Sequence, residues 1–377
     1  RSGREEHRSL IHLARNPYML AALLTVYKHQ GELPTNTGAL FHTLAQVLWE
    51  RERLRNTRGW VPFEQMRERF GQLAFQMIDT YQPLDVPLAY ALEHVKDESL
   101  LKAGASAGFI RLNQDSVRFS HQLILEYFAA WGLQRVGVMT RIRPPEFSWG
   151  KRKAQRWNDV VVALCGIVPE PSELINQVSE IDFLLAAECV RSVAAVSLDC
   201  RNLIIKQLGD ALNTPHNDLS LRRACAEALG KIGGRKALDL LKESINDAEQ
   251  SLKRTIAQAL GQIGNPSAVD VLIELLNNSE QSLQRTAAQA LGQIGDQRAI
   301  NALEQTLIEG EHIVKQIAAD ALVQIGAPSV YVLAQALQHK NWEVQYTAAE
   351  ALGRIGKPSI NVLITKSIYS KDINVRK

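Results

Sequence analysis

The sequence predicts an all-α protein in two styles: a compact helical lobe carrying one small β-hairpin and, after it, an α-solenoid of stacked helix pairs. Three observations carry this. First, a six-residue phrase recurs five times: Ala228-Leu229-Gly230-Lys231-Ile232-Gly233, ALGQIG from Ala259, ALGQIG from Ala290, ALVQIG from Ala321 and ALGRIG from Ala351, with starts 31, 31, 31 and 30 residues apart. A fixed period in this range marks stacked units, each too small to bury its own apolar face. Second, the first half lacks that period but places apolar residues at helical spacing between Gly and Pro turns. Third, strict alternation occurs once, where Phe109-Ile110-Arg111-Leu112 and Val117-Arg118-Phe119-Ser120 flank the polar Asn113-Gln114-Asp115-Ser116, a hairpin signal.

Taken in order, Leu10, Ile11, Leu13 and Ala14 lead into Asn16-Pro17-Tyr18-Met19-Leu20, whose proline suits a helix start. A turn at Gly31-Glu32-Leu33-Pro34 precedes a second helix through Leu40, Phe41, Leu44, Val47 and Leu48. Its mixed-charge tail, Trp49 to Arg55, reads as a solvated face. Phe63 to Ile78 is helical, with Met66, Phe70, Leu73, Ala74 and Met77 on one side. Two shorter helices follow, over 87–95 and 97–107, the second with Asp97 as N-cap. The hairpin comes next, and a helix from His121 to about Leu133 closes the block. Three helices plus a hairpin is the layout of a winged helix. DNA readout by this block is disfavoured, because residues 97–107 offer one Lys against two acids and no Arg, Asn or Gln for base edges.

Between the halves, Arg141, Arg143, Lys151, Arg152, Lys153 and Arg156 are interleaved with Pro144, Pro145, Phe147, Trp149 and Trp157. Such interleaving can hold nucleic acid through stacking and phosphate neutralisation, but a single short run is weak evidence and a packed loop is the better reading. Residues 160–168 and 183–196 look like degenerate helical repeats. The domain organisation is therefore 1–58, a helical lobe; 59–137, the winged-helix block; 138–218, a connector; and 219–377, the solenoid.

Within each regular unit the first helix carries one apolar stripe, as at Leu283, Ala287, Leu291 and Ile294. Gly233, Gly264, Gly295, Gly326 and Gly356 stand where a helix C-terminus favours a left-handed residue. Pro266, Pro328 and Pro358 suit the first turn of a second helix, which buries Leu238/Leu241, Val269/Leu272, Ile300/Leu303, Val330/Leu333 and Ile360/Leu363. Small residues on the first helix permit close stacking. The phrase is a packing signature and none of its residues is a site. Arg223, Arg254 and Arg285 share a register that continues as Gln316 and Tyr346, so no basic ladder forms. Gly353-Arg354-Ile355-Gly356-Lys357-Pro358-Ser359 is not a phosphate loop: the strand is missing and Pro follows the Lys.

Composition excludes little. The 377 residues are 46% hydrophobic and 22% charged, with net charge +3, so no strongly basic or acidic partner is implied. Cys165, Cys189, Cys200 and Cys225 show neither metal-ligand nor disulfide-framework spacing, and a reducing cytoplasm fits them. No signal peptide or membrane-length apolar run is present. The chain opens without Met, and Val375 falls in register with Val344, Val314, Leu283, Leu252 and Leu221, so it reads as the interior of a longer protein.

Two resemblances follow. Residues 219–377 resemble short HEAT repeats of the phycobilin-lyase type, which are mostly protein-binding scaffolds, with a minority acting as chromophore lyases. The motifs Asn16-Pro17-Tyr18-Met19-Leu20, Gly31-Glu32-Leu33-Pro34 and Phe119-Ser120-His121 with Glu126-Tyr127-Phe128-Ala129-Ala130 resemble the C-terminal part of NACHT modules in STAND signalling NTPases. That resemblance implies that Pro17 packs on the adenine of ADP or ATP and that His121 contacts the β-phosphate in a closed, resting state. Leu125 stands where such proteins usually carry Gln. No GxxxxGK[ST] occurs, so the chain alone is not an enzyme, and the nucleotide would belong to a full-length parent. The expected function is thus the regulatory and sensor region of a prokaryotic STAND NTPase in anti-phage defence. Its solenoid would bind a protein trigger, upstream NTPase and effector domains would precede it, and activation would bring oligomerisation. The alternative is a HEAT-repeat scaffold or a bilin-lyase-like protein without a nucleotide switch.

Overall fold

The computed structural model describes residues 14–34, 36–80, 85–148, 151–193, 195–246, 248–278 and 280–360. They are predominantly helical and divide into two compact units, one running to Ile204 and the other starting at Ile205.

The first unit begins with α1 (Pro17–Gln30), α2 (Thr37–Leu54) and α3 (Phe63–Asp79), followed by β1 (Asp85–Pro87), α4 (Leu88–Val95), α5 (Glu98–Ala107), β2 (Ile110–Leu112), β3 (Ser116–Phe119) and α6 (Gln122–Val136). The hairpin forms as expected, with Ile110 opposite Phe119 and Leu112 opposite Val117. A third strand joins it: β1 pairs antiparallel with β3, giving the sheet order β1-β3-β2. Periodicity missed β1 because three residues are too few to show alternation.

The core of this unit is aromatic. Phe70 on α3 meets Phe109, Phe119 and Phe128 with ring centroids 5.5 to 6.5 Å apart, in the offset and edge arrangements that aromatic quadrupoles favour. Asp97 caps α5 as its position suggested, accepting from the amides of Ser99 and Leu100. Helices α3 and α6 cross at backbone distance: a Cβ on Gly132 would lie 2.5 Å from the Gly71 carbonyl oxygen.

The tail of α2 corrects the sequence reading. Arg53, Leu54 and Arg55 are exposed as a solvated face would be, but Trp49 and Glu52 are buried. Trp49 stacks on Phe109 and donates to the Val61 carbonyl at 2.8 Å. The Glu52 carboxylate accepts from Ser106 Oγ at 2.5 Å and Thr57 Oγ1 at 2.8 Å, with Arg51 and Arg55 at 3.3 Å. Burial alone would raise this acid, but those donors outweigh it and hold Glu52 below the usual carboxylate range. A mixed-charge run hides this because the alternation of sign says nothing about which member turns inward.

After α6 come a short hairpin, β4 (Phe147–Ser148) with β5 (Lys151–Arg152), and then α7 (Asn158–Cys165), α8 (Pro171–Ser179), α9 (Phe183–Ser192) and α10 (Leu198–Asn213).

The second unit is the solenoid. First helices α11 (Leu219–Ile232), α13 (Gln250–Ile263), α15 (Gln281–Ile294), α17 (His312–Ile325) and α19 (Trp342–Ile355) alternate with second helices α12 (Arg235–Ser244), α14 (Val269–Leu276), α16 (Ile300–Glu309) and α18 (Val330–Ala336). Each first helix ends where expected, on Gly233, Gly264, Gly295, Gly326 or Gly356, with φ between +67° and +84°. Pro266 and Pro328 lie in a single 3-10 turn that precedes the second helix, not in the helix itself.

The third letter of the phrase has a steric cause. A Cβ on Gly230 would fall 2.8 Å from the Cα of Ala259; Gly261 and Gly292 face Ala290 and Ala321 at the same 2.8 Å. Glycine and alanine thus let consecutive first helices touch backbone to backbone. The shorter spacing of 30 residues also has a local origin. From Gly326 to Val330 the turn is one residue shorter than from Gly264 to Val269, and buried Ser329 closes it by donating at 2.7 Å to the carbonyls of Leu322 and Gly326. Of the second-helix pairs, 238/241, 269/272, 300/303 and 330/333 are buried. Ile360 is half exposed, against expectation, and Leu363 lies outside the described residues, as do Leu10, Ile11, Leu13 and Val375.

Candidate functional site

The two residues singled out by the NACHT resemblance do separate jobs. Pro17 is exposed at the first position of α1, where its missing amide costs no hydrogen bond. His121 is the N-cap of α6: its Nδ1 accepts from the Leu123 amide at 3.1 Å. An accepting Nδ1 is unprotonated, so in the neutral ring the proton sits on Nε2. Partial burial lowers the His121 pKa and favours that neutral form. The rest of its motif is interior, with Tyr127, Phe128, Ala129 and Ala130 all buried.

One residue of that motif leads elsewhere. Glu126, only 8% exposed, lines a half-open cavity of about 170 Å³ together with Asn36, Thr37, Gly38, Phe41, Leu123, Tyr127, Asp159, Val162, Ala163 and Ser192. The wall exists because two backbones approach closely. A Cβ on Gly38 would sit 2.5 Å from the Ala163 carbonyl oxygen, and one on Gly166 would sit 2.4 Å from Asn36 Oδ1. Asn36 is in turn fixed as the cap of α2, accepting from the Ala39 amide at 2.8 Å. Behind the wall, His42 Nδ1 lies 3.0 Å from the Tyr127 hydroxyl.

Glu126 Oε1 accepts from Gln122 Nε2 at 2.9 Å, one turn earlier on α6. Burial pushes the carboxyl up to about 7; the Gln122 bond opposes this and the charge of Asp159 adds to it. No ion pair of Glu126 or Asp159 occurs among the described residues. Neither Pro17 nor His121 lines this cavity. Sequence reading treated Glu126 only as a letter of a motif. The signal available was a lone acid inside the apolar run from Leu123 to Trp131.

The basic and aromatic run of the connector is occupied internally. Arg141 forks onto Asp79 at 2.7 and 2.9 Å, and Arg156 donates to the carbonyls of Ile78 and Asp79 at 2.6 and 2.7 Å. Arg152 pairs with buried Asp182 and with Glu188, and Lys153 with Glu146. Arg143 donates to the Ile142 carbonyl, and Trp157 packs on Phe75 with centroids 5.0 Å apart. Trp149 lies outside the described residues. Arg141 and Arg156 hold the connector to the end of α3, and Arg152 holds it to Asp182 and to Glu188 on α9, which accounts for these arginines without a nucleic-acid ligand.

On the solenoid, the outward positions of successive first helices form a ridge in which Gln250/Arg254, Gln281/Arg285, His312/Gln316 and Trp342/Tyr346 occupy one register. Trp342 is 75% exposed and Tyr346 64%. Arg254 bonds Ser282 Oγ at 2.8 Å, and His312 and Lys315 both reach Glu343, so the ridge is braced along its length. Among the described residues no group of three or more His, Cys, Asp or Glu is arranged to hold a metal, and no helix is long and apolar enough to cross a membrane. The four cysteines are buried and free; burial pushes Cys225 up to about 12, and Cys189 is raised by its contact with Cys165 and by burial.

Comparison with known proteins bears on the solenoid. Residues 243–322 and 309–376 match the HEAT repeats family, and residues 221–247 match the PBS lyase HEAT-like repeat. No curated protein gives a significant match to the chain. Among solved structures, the complex of CpcE and CpcF of phycocyanin lyase from Nostoc sp. PCC7120 is 28% identical, with 46% of this chain and 73% of that chain covered and a TM-score of 0.34. Human deoxyhypusine hydroxylase in complex with glycerol is 22% identical, covering 66% and 93% at a TM-score of 0.26. An engineered protein covers 93% of this chain and 98% of its own at 17% identity and a TM-score of 0.34. At these TM-scores none of the three structures carries a functional inference. The C-terminal part of the chain is a stack of HEAT repeats, including one of the phycobilin-lyase type.

Proposed function

We propose that the chain is a HEAT-repeat interaction region whose solenoid binds a protein partner along the ridge of its first helices. The observation that carries this reading is the pair Trp342 and Tyr346, exposed one turn apart on a ridge that is otherwise polar. Large exposed aromatics cost solubility and contribute most when a partner desolvates them. Repeat stacks present such ridges as continuous surfaces. Cys189, Cys200 and Cys225 are unsuited to nucleophilic chemistry, since buried thiols held above their ordinary pKa are poor nucleophiles. With a partner identified, calorimetry on Trp342→Ala and Tyr346→Ala should show affinity reduced tenfold or more by each, about 1.4 kcal/mol. Unchanged affinity in both variants would overturn the placement of the interface.

A second reading has its own support. The order helix, strand, helix, helix, strand, strand over residues 63–119, with the sheet order β1-β3-β2, supports reading this block as a winged helix. Joined to a HEAT stack, such a block suits the regulatory region of a STAND-type NTPase in defence signalling, with the solenoid as sensor. In that role the Nε2 proton of His121 would meet the β-phosphate of ADP supplied by a nucleotide-binding domain elsewhere in a longer protein, and Pro17 would pack on the adenine. A ligand on the solenoid shifts such a switch only through unequal affinity for its two states. In a full-length protein, His121→Ala should release ADP and change the oligomer size; retention of both would remove this role.

A further inference from the structure

We propose that the cavity between α2, α6 and α7 binds an alkyl cation, an aliphatic stem ending in a guanidinium or ammonium group, with Glu126 and Asp159 as its counter-charges. Three features of the cavity converge on this chemistry. Its lining includes the buried carboxylate of Glu126 and, at the exposed side, that of Asp159, close enough to act on Glu126; neither has an ion-pair partner among the described residues, although acids elsewhere in the lobe, such as Asp79 and Asp182, are matched to arginines. Its walls are apolar where a stem would lie: Phe41, Leu123, Val162 and Ala163. Its volume, about 170 Å³, is roughly ten times what one water needs, so a short chain of carbons fits where a single solvent molecule would leave space.

The energetics point the same way. A buried carboxylate without a cation is disfavoured, which is why Glu126 resists ionisation, while a charged donor entering the cavity favours the ionised form and removes that cost. A guanidinium adds a planar fork matched to a carboxylate. Gln122 leaves Glu126 half engaged, since it bonds Oε1 only, so Oε2 is available to a second donor. Glu126 is held on the rigid α6, and Asp159 lies in the first turn of α7, so neither needs a loop to move before it can meet the ligand.

The ligand chemistry has two sources, a free alkyl amine or the side chain of an arginine or lysine in a partner protein. The experiment separates them. Binding of n-butylguanidine to the 377-residue chain is measured by calorimetry at pH 8 beside n-butylurea, which has the same shape without the charge. A short arginine-containing peptide is measured beside its citrulline counterpart. The cation should bind at least tenfold tighter than its neutral partner in one or both pairs. Preference for the peptide assigns the site to a protein side chain, and preference for the small molecule assigns it to a free amine. Glu126→Gln should weaken the preferred cation at least tenfold and Asp159→Asn about threefold, with circular dichroism unchanged. Equal binding of the charged and neutral partners in both pairs, or full affinity in Glu126→Gln and Asp159→Asn alike, would overturn the proposal.

Discussion

Gly261→Val should lower the stability of the solenoid by about 1 to 3 kcal/mol, the usual range for overpacking a tight contact, and should shift its urea midpoint accordingly. A Cβ at 261 would sit 2.8 Å from Ala290 Cα and Cβ and 2.7 Å from Gln293 Oε1. The glutamine can turn away, but the backbone of α15 cannot yield without opening the stack. Helix propensity works in the opposite direction, since glycine inside a helix costs up to about 1 kcal/mol relative to alanine, and the clash must exceed that gain. Gly353 provides the internal control. It stands at the same letter of the phrase, yet a Cβ there meets nothing within 4 Å among the described residues. Gly353→Ala should therefore raise stability by up to about 1 kcal/mol. Equal losses at both positions would mean that the glycines do not serve stacking.

Glu126→Gln should make the first unit more stable at pH 8 and remove the loss of stability that this carboxyl causes between pH 5 and 8. The native carboxyl titrates near 7 and the unfolded one near 4.5. Between those values the unfolded chain has released the proton while the native chain still holds it, so stability falls as pH rises and levels off above 7. Across the whole window the loss is on the order of 3 kcal/mol. The charged group facing Glu126 is Asp159 on α7, whose negative charge deepens the loss; α2 contributes the neutral Asn36 and Thr37, and α9 contributes Ser192. Glu52 has the opposite sign. Its native pKa is depressed, so the stability it contributes is lost only on acidification below the ordinary carboxylate range, outside this window. His42 and His121, both lowered by burial, add a contribution of the opposite sign below about 6.5, so the test is the difference between wild type and variant in urea denaturation at pH 5, 6, 7 and 8; a difference that does not grow towards pH 8 would contradict it. A site acid that costs stability at neutral pH is the usual mark of a group retained for binding.

The helices of this protein were legible because their signals are local. Each repeat repeats its own boundary glycine, and the hairpin around Asn113 to Ser116 alternates clearly. Apart from the three-residue β1 and the 3-10 turns at Pro266 and Pro328, the missed features depend on residues far apart in the chain. Glu52 is buried because Ser106, more than fifty positions later, reaches its carboxylate. The cavity depends on Gly38 meeting Ala163 and on Asn36 meeting Gly166, which no window of sequence contains. The connector arginines looked like a phosphate-binding strip because their partners, Asp79, Asp182 and Glu188, lie outside the run. Pro17 and His121 were found by motif, and the geometry gives each a local helix-start role that any functional role must share.

The seating of Gly230, Gly261 and Gly292 on the alanines of the next unit has one more consequence. Because the joints are made by main chain and by the smallest side chains, the stack is specified by letters turned away from the outer ridge. The outward letters, at 250/254, 281/285, 312/316 and 342/346, join neighbouring units only through side chains such as Arg254 and His312, and run through Gln/Arg, His/Gln and Trp/Tyr without disturbing the path of the helices. Architecture and outer surface are thus written in separate alphabets within one repeat, so the ridge can vary one unit at a time while its framework stays the same.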